Sequence, residues 1–347
     1  MLIKNEKYSE AELLLRRELE KRERVLGVEH RLTIGVRKDL TWLMFELRKW
    51  PEAEALIAKE LEVQERMHGP ESDEVLRALK DLSEIHFERG EFAEAIKLMQ
   101  RVVAVRCQKL GPEQEESVTA QIILSNILDK ANDPEQAEPV LRRLLPILER
   151  IRGEAHLDTL GVLNKLAVLL SQKGEHVVAE QLFRRALAIE ERVLGPDDNR
   201  TLNTLAALIE LLVNTKNNTE AELLGHRLLS RLEPKLPTQT PALLIQLNNY
   251  AAVLFANGKL VEAEEILRRV VKAREDATGP TREGLLTCKL NLAVLLSQKG
   301  SHESAELLAE EALKGLQHNL GPTSPEAALA ERNLREIRER RAKATGK

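Results

Sequence analysis

Aromatic side chains are scarce: five Phe, two Trp and two Tyr make up 3% of the chain. The core must therefore be aliphatic, and any aromatic that does appear stands out against that background. Cysteine is almost missing. Cys107 and Cys288 are the only two, and they fall in different copies of a repeating sequence, so no local bridge joins them and a reducing, cytoplasmic setting is expected. No run of about 18 apolar residues exists, and the N-terminus lacks the charged-then-apolar pattern of a secretory signal, so a membrane is not an expected partner. Nor is there an excess of positive charge: 52 Lys and Arg against 56 Asp and Glu leave −4, which argues against nucleic acid. The chemistry of an enzyme is missing too. The eight histidines are scattered, and the Gly279 to Gly284 stretch lacks the Lys-Ser/Thr ending of a phosphate loop. No nucleophile–base set or metal-ligand spacing is found, so neither catalysis, a cofactor nor a metal is expected.

What is present is a period. Ala11, Ala53, Ala95, Ala137, Ala179, Ala221, Ala263 and Ala305 recur every 42 residues, and a fixed period in this range marks a solenoid of stacked supersecondary units. Sixteen residues after seven of these alanines stands a glycine (27, 69, 111, 153, 195, 279 and 321), often followed by proline. Glycine supplies the positive φ that ends a helix, and proline prevents its continuation. Copy six departs from this, with Pro237 at the glycine position. Between the stops the apolar spacing is helical: Leu160, Leu163, Leu166, Ala167 and Leu170 form one stripe, and Leu182, Phe183, Ala186 and Leu187 another. The joint between the two helices carries Gly90, Asn132, Gly174, Gly258 and Gly300, with Arg48 and Lys216 as less permissive members. Each period is thus an antiparallel hairpin of a helix A and a helix B, and the alanine column lets the two axes approach.

The run Leu163 to Pro196 and the Gly-x-x-His-x-x-Thr joints at Gly27 to Thr33 and Gly153 to Thr159 resemble tetratricopeptide repeats of the kinesin light chain type. The resemblance covers essentially the whole chain. It implies an all-α, right-handed superhelical solenoid whose A helices line a concave face and hold a protein or an extended peptide there. The boundaries that follow are a truncated first repeat at 1–30, repeats at 31–72, 73–114, 115–156, 157–198, 199–240, 241–282 and 283–324, and a capping helix at 325–347. This gives seven complete hairpins between an initial B helix and a final A helix. Leu2 aligns with Leu170, so the chain is expected to open in the last turn of an A helix and turn at once into helix B, with a preceding segment missing. Glu331, Arg335 and Arg338 stand where copy four has core residues, as a solvated cap requires. His30 and His156 share one column and are expected to fix the entry of an A helix by hydrogen bonds.

Candidate binding residues lie on the part of each A helix that packing does not use. They are Lys38 and Trp42, with Asp39, in copy one; Arg77 and Lys80, with Asp81 and Glu84, in copy two; Asn126, beside Ile122 and Ile123, in copy three; Asn164 and Lys165 in copy four; Asn203 in copy five; Asn248 and Asn249, with Ile245, in copy six; and Asn291, with Thr287 and Leu290, in copy seven. Trp42 is either an interface anchor or the filler of a wide terminal repeat. The family implies that asparagines at the columns of Asn164, Asn249 and Asn291 hold a peptide backbone, which suits an amide that both donates and accepts. The function expected is a non-catalytic protein-interaction scaffold; the alternative is the sensor arm of a larger signalling protein.

Overall fold

A computed structural model describes residues 2–232, 241–277 and 284–345, and among these every regular element is an α-helix. In chain order they are α1 (Leu2–Leu26), α2 (Arg31–Glu46), α3 (Trp50–His68), α4 (Asp73–Glu88), α5 (Phe92–Leu110), α6 (Glu115–Lys130), α7 (Pro134–Ile151), α8 (Leu157–Gln172), α9 (His176–Val193), α10 (Asn199–Asn214), α11 (Asn218–Leu232), α12 (Pro241–Ala256), α13 (Leu260–Glu275), α14 (Leu285–Gln298), α15 (His302–Leu320) and α16 (Pro325–Thr345). The chain divides into two compact units, Met1–Leu166 and Ala167–Lys347, with the division inside α8. In the N-terminal unit each helix from α1 to α7 packs on the next. The C-terminal unit repeats that pattern from α9 to α16 and adds contacts between successive A helices, α10 with α12, α12 with α14 and α14 with α16.

The hairpin turns need a left-handed residue whatever the sequence supplies. Gly90, Gly174, Gly258 and Gly300 take φ of 77°, 83°, 76° and 86°, and Arg48, Asn132 and Lys216 are held at 56°, 52° and 63°. A non-glycine residue gives up roughly 1 kcal/mol or more there, and it stays because the helices on both sides are fixed by packing. Pro237 and Gly279 lie outside the described residues. At the start of the A helices the Gly-x-x-His-x-x-Thr pattern has a physical task. His30 Nδ1 accepts from the Leu32 amide at 3.2 Å and His156 Nδ1 from the Asp158 amide at 3.2 Å, so both cap exposed helix N–H groups. The Thr159 hydroxyl donates to the Gly153 carbonyl at 2.8 Å, and Thr201 does the same to Gly195 at 2.9 Å, tying the stop to the next helix.

One expectation is corrected at the N-terminus. α1 runs unbroken from Leu2 to Leu26, with no turn at Glu6, the residue in the joint column. Glu is a good helix former, so the segment continues the helix that follows it.

Seven members of the alanine column, Ala53 through Ala305, are buried, and Ala11 at the start is half-buried. Copy six rearranges the usual pairing of large side chains. Its B helix has Gly225 where the other copies have Leu15, Ile57, Met99, Leu141, Phe183, Leu267 and Ala309, and the A helix that follows has Tyr250 where the others have leucine. A Cβ built on Gly225 would stand 2.0 Å from Tyr250 Cε2, so the ring occupies the volume the missing side chain leaves. At the C-terminus, α16 buries Ala327, Ala330, Leu334 and Ile337, while Glu331, Arg335 and Arg338 are exposed. Arg338 bridges Glu306 and Glu310 at 2.7 and 2.5 Å, and Arg341 meets Glu306 at 2.7 Å.

Candidate functional site: the exposed stripe of the A helices

An A helix packed on both flanks keeps only a narrow strip of side chains for solvent. In α8 that strip is Gly161 and Val168, exposed, with Asn164 and Lys165 half-buried between them. The same columns leave Lys38, Asp39 and Trp42 exposed on α2, Arg77, Asp81 and Glu84 on α4, Asn126 on α6, Asn203 and Glu210 on α10, Ile245 and Asn249 on α12, and Thr287 on α14; Lys80, Asn248 and Asn291 are half-buried. Leu290 departs from its expected place on this strip and is buried, at 3% exposure. α14 is flanked by both α12 and α16, which narrows its free face and takes the leucine into the apolar packing.

Many of these side chains already have partners on the neighbouring A helix. Asn291 Nδ2 donates to Asn248 Oδ1 at 3.1 Å, Gln246 donates to Asn203, and Lys165 donates to Asn126 Oδ1 at 2.6 Å while reaching Asp129 at 3.4 Å. Such rungs orient the amides and leave each with further donors or lone pairs for a ligand. Asn249 is exposed, with no side-chain partner among the described residues. The basic residues of the first two repeats are engaged otherwise. Lys38 meets Glu60 at 3.1 Å, Arg77 meets Glu74 at 3.2 Å, and Lys80 meets Asp81 at 3.4 Å. Trp42 is 58% exposed, so it does not fill the core of its repeat.

Clefts open on this strip in both units. In the N-terminal unit, α2, α3 and α4 enclose about 370 Å³ lined by Trp42, Phe45, Ile57 and Ile85 together with Lys38 and the carboxylates of Glu46, Glu60, Asp81 and Glu84. In the C-terminal unit, a cleft of about 240 Å³ among α10, α11 and α12 is lined by Glu210, Asn214, Gln246, Asn249 and Tyr250 over apolar neighbours. Burial pushes the Glu60 carboxyl above the usual carboxylate range, and Lys38 draws it part of the way back. Glu60 sits on a B helix and was not among the residues expected at the site. A signal was there: from copy three on its column reads Val102, Leu144, Ala186, Leu228, Val270 and Ala312, while the first two copies carry the acids Glu18 and Glu60, so the core stripe is interrupted at this end of the repeat array. Burial likewise raises the Tyr250 phenol, whose hydroxyl has no hydrogen-bond partner.

Among the described residues no group of three or more His, Cys, Asp or Glu is placed to hold a metal ion, and no helix is long and apolar enough to cross a membrane. Cys107 and Cys288 are both free thiols.

The chain is similar in fold to several solved structures. A putative kinesin light chain protein with nearly identical TPR-like repeats from Podosopora anserina aligns at a TM-score of 0.52 with 22% identity, covering 60% of this chain and 98% of the other. A tetratricopeptide repeat protein from Parabacteroides merdae aligns at 0.60 with 16% identity over 88% of this chain and 98% of the other. A signal transduction ATPase with a tetratricopeptide repeat sensor from Pyrococcus horikoshii aligns at 0.56 with 15% identity, covering 95% of this chain and 49% of that one. No curated protein sequence matches the chain. Models of the tetratricopeptide repeat match residues 42–108, 84–150, 158–233 and 243–318, and a second such model matches 1–32. With these matches spanning well over half of its length, and with the buried alanine column and the positive-φ joints in place, the chain belongs to the tetratricopeptide repeat family.

Proposed function

We propose that the protein is a non-catalytic scaffold in the cytoplasm that holds an extended peptide or protein segment along the exposed strip of its A helices. The observation that carries this reading is the recurrence of amides in that strip, at Asn126, Asn164, Asn203, Asn248, Asn249 and Asn291, none of which serves the apolar packing of the hairpin. An amide pairs with a peptide group whatever side chain that peptide bears, so a row of them suits a backbone. The rungs between neighbouring amides keep the side chains pre-oriented, which lowers the entropy lost on binding.

Replacement of Asn249 and Asn291 by alanine tests this. The double variant should keep the helical circular dichroism and melting temperature of the parent, yet bind its partner at least tenfold more weakly, about 1.4 kcal/mol, as expected for two lost amide contacts of roughly 1 kcal/mol each with partial compensation. The outer-face change Arg184→Ala should leave affinity alone. Equal affinity of parent and double variant, titrated by calorimetry, would move the site off the A-helix strip. A second reading, a sensor arm within a larger signalling protein, is supported by the alignment of 95% of this chain with about half of an ATPase described as having such a sensor; the complete reading frame decides it.

A further inference from the structure

The N-terminal cleft has a charge pattern that selects among peptides. Four carboxylates, Glu46, Glu60, Asp81 and Glu84, line it against the single cation Lys38. Lys38 is paired with Glu60 and Lys80 with Asp81, so two of the four are already neutralised. Glu46 and Glu84 have no cationic partner among the described residues, and both are exposed. Trp42 stands one helical turn before Glu46 on α2, on the same side of that helix, and occupies in its repeat the column that Glu84 occupies in the next. An indole face left 58% exposed beside two unneutralised carboxylates is a combination that neither packing nor internal ion pairing accounts for.

We propose that this cleft is an arginine-binding subsite, in which Trp42 stacks on the guanidinium of an arginine in the bound segment and Glu46 and Glu84 accept its N–H groups. The proposal deepens the scaffold reading and rests on it. A guanidinium fits better than an ammonium: it is planar, stacks on an indole, and carries five donors able to reach carboxylates from two helices at once, while the ammonium is a compact and strongly hydrated charge. An acidic segment is disfavoured by the same carboxylates, because like charges brought together in a partly desolvated cleft repel. The apolar walls of Phe45, Ile57 and Ile85 suit the methylene stem of the side chain.

The two tryptophans make the cleft directly observable. Full-length protein labelled with 5-fluorotryptophan has two fluorine resonances: Trp42 in the cleft, and Trp50, half-buried with its ring 5.1 Å from Phe45, which serves as the internal control. The probes are the blocked tripeptides Gly-Arg-Gly, Gly-Lys-Gly, Gly-citrulline-Gly and Gly-Glu-Gly. Arginine should move the Trp42 line saturably. Citrulline, which keeps the shape and loses the charge, should bind at least fivefold more weakly, lysine should be weaker than arginine, and glutamate should give no shift. The Glu46→Gln, Glu84→Gln double variant should weaken arginine binding at least fivefold with no change in melting temperature, since both positions are exposed.

Equal binding of arginine and citrulline, an unchanged affinity in the double variant, or preferential binding of the glutamate peptide would each overturn the proposal. So would a Trp42 line that moves with protein concentration alone, because the cleft would then belong to a second copy of the chain. The scaffold reading fails separately: if the arginine tripeptide binds as proposed but the partner is insensitive to Asn249→Ala, Asn291→Ala, the subsite stands and the amide strip does not.

Discussion

The strip on α2 and α4 and the strip on α10, α12 and α14 occupy the same repeat columns and are chemically different. The first carries Trp42 among charges, over a cleft whose floor holds a carboxyl at 4% exposure, Glu60. The second is dotted with amides that bond to one another, over a cleft floored in part by Tyr250. On the reading proposed above, one scaffold would offer a surface that discriminates charge and a surface that holds a backbone. A solenoid permits this because each repeat is stabilised by its immediate neighbours, so one copy can change its exposed chemistry without the others having to follow.

The difference extends into the core, and there it can be broken. Gly225→Leu in the C-terminal unit should cost about 3 kcal/mol, since the new side chain and Tyr250 claim one volume. Adding Tyr250→Leu should recover at least half of the loss in urea unfolding, because Leu facing Leu is the arrangement of Leu141 and Leu166 in copy four. No recovery would mean that the pairing of Gly225 with Tyr250 is not what sets copy six apart.

Smaller effects sharpen the electrostatic side. Hydrogen bonds from Arg341 and Arg338 hold the Glu306 carboxyl below its usual range. A depressed carboxylate contributes stability that is present above the unfolded value of 4.5 and is lost as pH falls through the folded one. Glu306→Gln should therefore loosen α16 at pH 7 by about 1 kcal/mol or less, as for exposed ion pairs, and make progressively less difference as pH falls below 4.5; protease nicking within α16 along a descending pH series reads this. Glu60 has the opposite sign. Its raised pKa, caused by burial, means that the fold favours the neutral form, so stability is fullest below the unfolded value and declines as pH rises through the folded one. Glu60→Gln should remove that decline and raise stability at pH 7 by well under about 1 kcal/mol, with no gain at pH 4, as followed by thermal melts across that range.

How much could be read in advance depended on whether a feature repeats. The alanine column, the glycine stops and the left-handed joints were legible because each recurs at a fixed spacing and answers one steric demand. Arg48 and Lys216, weak residues for a turn, still adopt positive φ, since seven hairpins of one geometry leave them no other conformation. The continuous α1 was missed because the column pattern was carried to Glu6, a good helix former that continues the helix instead of breaking it. Leu290 was placed at the surface by its column and is buried because α16 narrows the strip beside it.

By itself, then, the sequence determined the helical hairpin, its period, its caps and the family to which the chain belongs, for these follow from local sterics and from apolar spacing summed over eight copies. It also ruled out a large aromatic core and a strongly basic surface. What the tertiary structure alone decided is which exposed charges are neutralised and which are left over. Along the chain Lys38, Arg77 and Lys80 are only cations mixed with Asp39, Asp81 and Glu84; in space each is paired, and Glu60 enters the cleft from a B helix. Pairing and burial depend on distances between residues that no periodicity encodes, so the sign of the cleft emerges only when α2, α3 and α4 are brought together.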